Sequence, residues 1–368
     1  MTLAPVFRSE SSAQFLRERG VIERLAPHAQ AQRQALRDLH AMLPQVIDRR
    51  YLHADPALPA DDLFFVQDHF FLLLFRSLFD TLGAGPRLDF YTRLNICIKG
   101  LITAADNLFD DEFKELIPLK LGAGRKFASI VQLMSFERLI RHLGEGEIAA
   151  GRIARAEFEE GNRDFFTLLT SIGTLEGSEE SGVESVYDVE AMIDAVHRVR
   201  GGNLFALAFS FPGRAEADTA RWDAARDGIE RLGTAFQIVD DLTDFEFDLH
   251  RRSNNLLVSV IAHRGTAEER ARLAELQGAV DALEGEEWEA KREKVFAAGD
   301  VIADHFLGSA TEVLRLARRE ARLAFETLAG VGFWFDPADS DEVVHAIVGL
   351  EGVRRMESIV EGESAASR

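Results

Sequence analysis

From Val313 to Phe325 the chain reads Val-Leu-Arg-Leu-Ala-Arg-Arg-Glu-Ala-Arg-Leu-Ala-Phe, with apolar residues returning every three or four positions. That spacing gathers them on one stripe of an α-helix and on no single face of a strand. Met134–Leu143 repeats the pattern. Long stretches lack the strict alternation that a half-buried strand needs. Only 9 prolines interrupt 368 residues. The chain is therefore expected to be all-α, and its length alone allows one large domain or two.

Length and composition narrow the functions such a chain can serve. With 46% hydrophobic residues the chain can bury a sizeable core. A net charge of -20 excludes a nucleic-acid backbone as the main partner. It leaves open a small anionic ligand, because a metal or a local arginine reverses the sign at one site. Cys97 is the only cysteine, which excludes a disulfide framework and points to the reducing cytoplasm. The N-terminus lacks the apolar stretch of a signal peptide. Leu63–Phe75, the most apolar run, is short and interrupted by Asp68 and His69, so it reads as a buried helix and no transmembrane segment is expected. Helix boundaries are expected at Asp55–Ala60, Gly83–Arg87, Gly122–Gly124, Gly144–Gly146, Gly173–Gly182, Gly201-Gly202, Pro212-Gly213 and Gly330–Pro337. The charged stretch Val260–Val295 reads as a peripheral helical excursion.

Two acidic rows carry the chemistry. Asp240, Asp244 and Asp248 follow the apolar run Ala235–Val239, four residues apart. On a helix they share one face, where like charges repel and destabilise. Asp106 and Asp110 repeat the spacing after Leu101–Ala105. A cation would offset the repulsion. Magnesium takes oxygen ligands and is held by one or two carboxylates together with substrate phosphates. Two such rows suit a diphosphate, whose departure requires that its charge be neutralised. The spacing of an EF-hand calcium loop is absent, as are zinc, dinucleotide and Walker signatures.

At these residues the chain resembles a known family. Phe236-Gln237-Ile238-Val239-Asp240-Asp241-Leu242-Thr243-Asp244 resembles the second aspartate-rich motif of the trans-isoprenyl diphosphate synthases, FQxxDDxxD. Asp106-Asn107-Leu108-Phe109-Asp110 is similar to their first motif, DDxxD, with Asn in the second place. Val199–Phe205 resembles the segment that carries a diphosphate-binding Lys-Thr, with Arg200 in the lysine's role. The resemblance spans roughly residues 45 to 265. It implies the class I isoprenoid synthase fold, a helical barrel around a deep apolar pocket. It also implies three magnesium ions, a prenyl diphosphate substrate and a homodimer. Under it, residues 1–44 form an N-terminal helical segment, 45–356 the catalytic domain, and 357–368 a frayed tail.

The departures from the pattern matter as much. Chain-elongating members carry an Arg-Arg pair after the first motif, where this chain has Phe113-Lys114-Glu115-Leu116. Their Gly-Lys-Arg-x-Arg-Pro signature has only Asp48-Arg49-Arg50 as a counterpart, and their Gly-Gln-x-x-Asp stretch falls at Glu176–Ser181 without Gln. Elongation must hold a second anion beside the first, which takes fixed cations. Their loss favours cyclisation by a terpene-cyclase mechanism. Elongation with isopentenyl diphosphate is the alternative, and an inert regulatory subunit a further one.

The resemblance assigns the roles. Asp106 and Asp110 hold metal from one wall, and Asp240, Asp244 and Asp248 from the other. Arg200 holds the diphosphate, helped by Arg198, Arg251 and Arg252. Gln237 and three phenylalanines beside the motifs, Phe109, Phe205 and Phe236, face the substrate, since aromatic faces stabilise cations. Asn255 reads as a helix cap.

Overall fold

Fourteen α-helices account for most of the described chain in a computed structural model, which describes residues 17–53, 58–59, 61–109, 114–121, 124–213, 216, 218–283, 285–297 and 299–340. Asp110 and the tail 357–368 lie outside the described residues, and so does the side chain of Phe109. Among the described residues there is one isolated bridge, Leu52 to Leu119, and no strand. No helix among them is long and apolar enough to cross a membrane.

The chain divides into two units, 1–165 with 208–222, and 166–207 with 223–368. The first holds α1 (Val21–Met42), α2 (Asp62–Thr81), α3 (Leu88–Phe109) and α4 (Arg125–Ala149). The apolar run from Leu63 is the buried helix its composition predicts. Asp61 starts it by accepting from the Phe64 amide, and Phe65, Phe70, Leu73, Leu74 and Phe79 are buried. The Phe79 ring meets Phe209 at 5.0 Å and Trp222 at 5.3 Å between centroids. Edge-to-face and tilted contacts of this kind add to what burial alone gives.

α5 (Arg155–Glu179) and α8 (Thr219–Thr243) each contribute to both units. The second unit holds α6 (Val189–Met192), a π-helix (Ile193–Gly202), α7 (Asn203–Ala206), α9 (Phe245–Arg251), α10 (Leu256–Arg264), α11 (Ala267–Asp281), α12 (Trp288–Val295), α13 (Val301–His305) and α14 (Leu307–Gly330). The stretch Val260–Val295 is helical, as expected, in α10 to α12. Thr266 and Glu269 close a reciprocal capping box at the start of α11. The stripe on α14 buries Val313, Leu314, Ala317, Ala321 and Phe325. The first four join Ile238, Val239, Leu242 and Phe245 in one apolar cluster, in which Phe245 lies edge-on to Phe306 at 5.6 Å.

Two expected boundaries are not boundaries. α4 runs unbroken through Gly144 and Gly146. A Cβ on Gly144 would lie 2.1 Å from the Phe158 ring, so the glycine admits a close neighbour and breaks nothing. Gly201 and Gly202 end a π-helix that passes directly into α7. There, a Cβ on Gly201 would meet the Gly233 carbonyl oxygen at 2.3 Å, and a Cβ on Gly233 would meet that of Gly201 at 2.2 Å. Backbone touches backbone, so no side chain fits at either. Gly233→Ala is expected to cost about 2 kcal/mol through overpacking. The denaturant midpoint checks this, and an unchanged midpoint would refute it.

Candidate active site

The second acidic row sits at the end of α8 and along α9. Its helical bonding continues through Asp244, which caps α9: the Asp244 amide donates to the Asp240 carbonyl at 2.9 Å, and the Asp248 amide to that of Asp244 at 2.8 Å. The three carboxylates therefore keep the one-face spacing read from the sequence. Asp240 and Asp244 are exposed and Asp248 is half-buried. The Asp240 carboxyl meets solvent, yet protein crowds it. Loss of surrounding water first, then the charges of Asp244 and Asp241, push it up to about 7. Burial and the neighbouring Asp241 raise Asp248 well above the usual carboxylate range, opposed by a hydrogen bond from Asn255. Gln237 reaches Asp240 at a long 3.5 Å.

Asp241 behaves differently. It is 2% exposed and turned from its neighbours into the core. Its Oδ2 accepts from the Leu256 amide at 2.5 Å and lies 2.7 Å from Nε2 of His197, which is fully buried. The other His197 nitrogen, Nδ1, faces the Met192 carbonyl at 3.1 Å. Both ring nitrogens thus face oxygens, so neither is left without a partner in the core. Asp241 ties the π-helix to the start of α10 and is no part of the exposed row.

Arg200 stands on the same π-helix, a distortion that recurs at functional sites. Its Nε donates to Glu176 at 2.5 Å and its Nη2 pairs with Glu179 at 2.9 Å. Burial would lower its pKa, but the two glutamates outweigh burial and raise it. Glu179 in turn accepts from the amide and side chain of Asn254. Sequence reasoning missed these glutamates. They stand where the resemblance placed the Gly-Gln-x-x-Asp stretch, and nothing in their spacing signals an arginine.

The remaining sequence-predicted residues fall in several places. Arg198 is exposed and pairs with Asp194. Arg251 lies 5.6 Å from the Phe247 ring, and Arg252, in the left-handed region at φ 56°, pairs with Asp281 at 2.7 Å. Phe205 and Phe236 are half-buried, with ring centroids 5.3 Å apart. Arg49 and Arg50 form an exposed 3₁₀ turn beside Asp48.

Asp106 is exposed near the end of α3, in the first unit. Asn107, in the motif's second place, is buried, and its side chain clasps Lys114, donating to its carbonyl at 3.0 Å and accepting from its amide at 2.9 Å. The substitution that weakens the motif therefore fastens Lys114 to the end of α3. Lys99, two turns before Asp106 on the same helix, is half-buried; burial lowers it to about 8, opposed by Asp68.

Among the described residues, no group of three His, Cys, Asp or Glu side chains is gathered closely enough to enclose a metal unaided. The donor set nonetheless suits a hard divalent cation. Its exposed members are all carboxylates, Asp240 among them crowded enough to disfavour its own ionisation, and such cations complete their shells with water and phosphate.

No family model matches the chain, and no curated protein matches it. Solved structures do. A polyprenyl synthetase from Streptomyces coelicolor A3(2) aligns at TM-score 0.58 and 18% identity, covering 87% of this chain and 96% of its own. A polyprenyl synthase from Caulobacter crescentus CB15, complexed with calcium and isoprenyl diphosphate, aligns at 0.56 and 17%, covering 91% and 98%. A polyprenyl synthase from Roseobacter denitrificans aligns at 0.54 and 18%, covering 92% and 98%. The chain thus has the all-helical class I isoprenoid synthase fold, as the two acidic motifs led one to expect.

Proposed function

We propose that the protein is a metal-dependent trans-prenyltransferase, which ionises an allylic prenyl diphosphate and joins the cation to isopentenyl diphosphate. The observation that carries this reading is the row Asp240, Asp244 and Asp248, in which burial first and then the charges of Asp244 and Asp241 raise Asp240 to about 7, in a fold shared with polyprenyl synthases. A row so costly to ionise alone is matched to a bound cation.

Asp240, Asp244 and Asp248 would hold metal at the end of α8 and along α9, and Asp106 and Asp110 would do the same at their own row. Bound divalent ions would neutralise the diphosphate as its bond to the allylic carbon breaks. Arg200 would hold a diphosphate oxygen by exchanging one of its glutamate contacts. Phe205 and Phe236 would present ring faces to the cation and keep water away. Three magnesium ions, a homodimer and a cytoplasmic location, all expected above, belong to the same reading.

Cyclisation was the outcome favoured by the missing arginine pair. Two observations support elongation over it. Solved structures that share the fold include ones described as polyprenyl, decaprenyl and geranylgeranyl synthases. Lys99 on α3, two turns before Asp106, would supply a cation of the kind a second anion needs.

The test is incubation with magnesium and geranyl, farnesyl or geranylgeranyl diphosphate, with and without isopentenyl diphosphate, followed by phosphatase treatment and gas chromatography–mass spectrometry. A longer prenyl alcohol is expected only when isopentenyl diphosphate is present. A hydrocarbon from the allylic substrate alone would replace elongation by cyclisation, and no product from any substrate would refute both.

A further inference from the structure

We infer that Asn255 is a positioning residue for Asp248, one buried amide fixing both the start of α10 and the direction of the last carboxylate in the row. This rests on the reading above that the row holds metal. Asn255 is 1% exposed. Its Oδ1 accepts from the Leu257 amide at 2.9 Å and the Val258 amide at 3.3 Å, an ordinary N-cap. Its Nδ2 donates to the Asp241 carbonyl at 2.7 Å and to Oδ2 of Asp248 at 2.8 Å. All four hydrogen-bonding positions of the amide are therefore used.

Capping accounts for only half of this. Serine, threonine or aspartate would cap the helix with an oxygen. Only the amide nitrogen reaches the row, and it grips one carboxylate oxygen of Asp248. No hydrogen bond to Oδ1 of Asp248 from a described residue accompanies this grip, so Oδ1 is the oxygen that would serve a metal in the reading above. Hydrogen bonds that orient a ligating carboxylate are worth about 10- to 100-fold in metal affinity. The second bond, to the Asp241 carbonyl, ties this orientation to the buried His197–Asp241 pair.

The experiment is a Mn²⁺ titration of the full chain with inorganic pyrophosphate present, following free Mn²⁺ by electron paramagnetic resonance, with thermal unfolding measured in parallel without metal. Asn255→Ser keeps the cap and removes the amide donors. It is expected to unfold near the wild-type temperature yet bind Mn²⁺ about 10-fold more weakly. In an Asp248→Asn background the same change is expected to have no further effect on Mn²⁺. Should Asn255→Ser not fold, Asn255→Thr, which also caps, takes its place.

Unchanged Mn²⁺ affinity in the serine variant would overturn the inference while leaving the proposed function intact. Equal weakening in the Asp248→Asn background would also overturn it, because Asn255 would then not act through Asp248. A wild-type chain that binds no Mn²⁺ even with pyrophosphate would take down both readings.

Discussion

Asp240→Asn is expected to abolish turnover, by about 10³-fold or more, while making the metal-free protein more stable. The first effect follows from its place in the row: the variant keeps the shape and loses the charge, and groups that stabilise developing charge are worth about that much each. The second follows from the pKa. An Asp240 carboxyl near 7 stands far above the ordinary carboxylate value. Between about pH 4 and 7 the folded chain keeps a proton that the unfolded chain releases. Stability from this group therefore falls as pH rises through that window, and the penalty is complete above 7. Removing the charge lifts it, by roughly 1 kcal/mol once the solvent contact of Asp240 is allowed for. Thermal unfolding in chelator at pH 8 measures one effect, and product formation at saturating magnesium the other. A variant that is inactive and also less stable would mean that Asp240 is structural. In the wild type, product formation is expected to decline as pH is lowered through about 7, and added magnesium to shift that decline to lower pH.

His197→Ala is expected to be the most destabilising of these changes, at about 3 kcal/mol, because it strands a buried carboxylate. Of its hydrogen bonds Asp241 would keep only that from the Leu256 amide, and a cavity would replace the ring. Replacing both partners together, as His197→Leu with Asp241→Leu, is expected to recover much of the loss, since no uncompensated charge then remains. Denaturant unfolding of the two single variants and the double one gives the comparison. A single variant as stable as the wild type would show that the pair contributes nothing.

Periodicity made the helices and the exposed row legible. The stripe on α14 and the apolar run of α2 both became buried faces. The same logic could have separated Asp241 from its neighbours. It stands three residues after Ile238 and four before Phe245, both fully buried, so it occupies the inward face of the helix. The partner waiting there, His197, lies 44 residues earlier, and no local pattern points to it. The grip of Glu176 and Glu179 on Arg200 was hidden for the same reason. Glycine misled in a different way. Gly144, Gly201 and Gly202 resemble breaks in a sequence because glycine tolerates them, but here the missing side chain serves contact between neighbours. Asn107 looked like a damaged motif because its use, holding Lys114, lies in a loop without any repeating pattern.

The contact between Gly201 and Gly233 also governs how the chain can diverge. Each glycine is excluded from change by the other's backbone, so substituting one does not open room for the other. Neither a first step at one position nor a compensating step at the second is available to selection. Lineages that vary the side chains beside Phe205 and Phe236 must do so with this joint frozen, and such variety can accumulate without moving the backbone that carries Arg200.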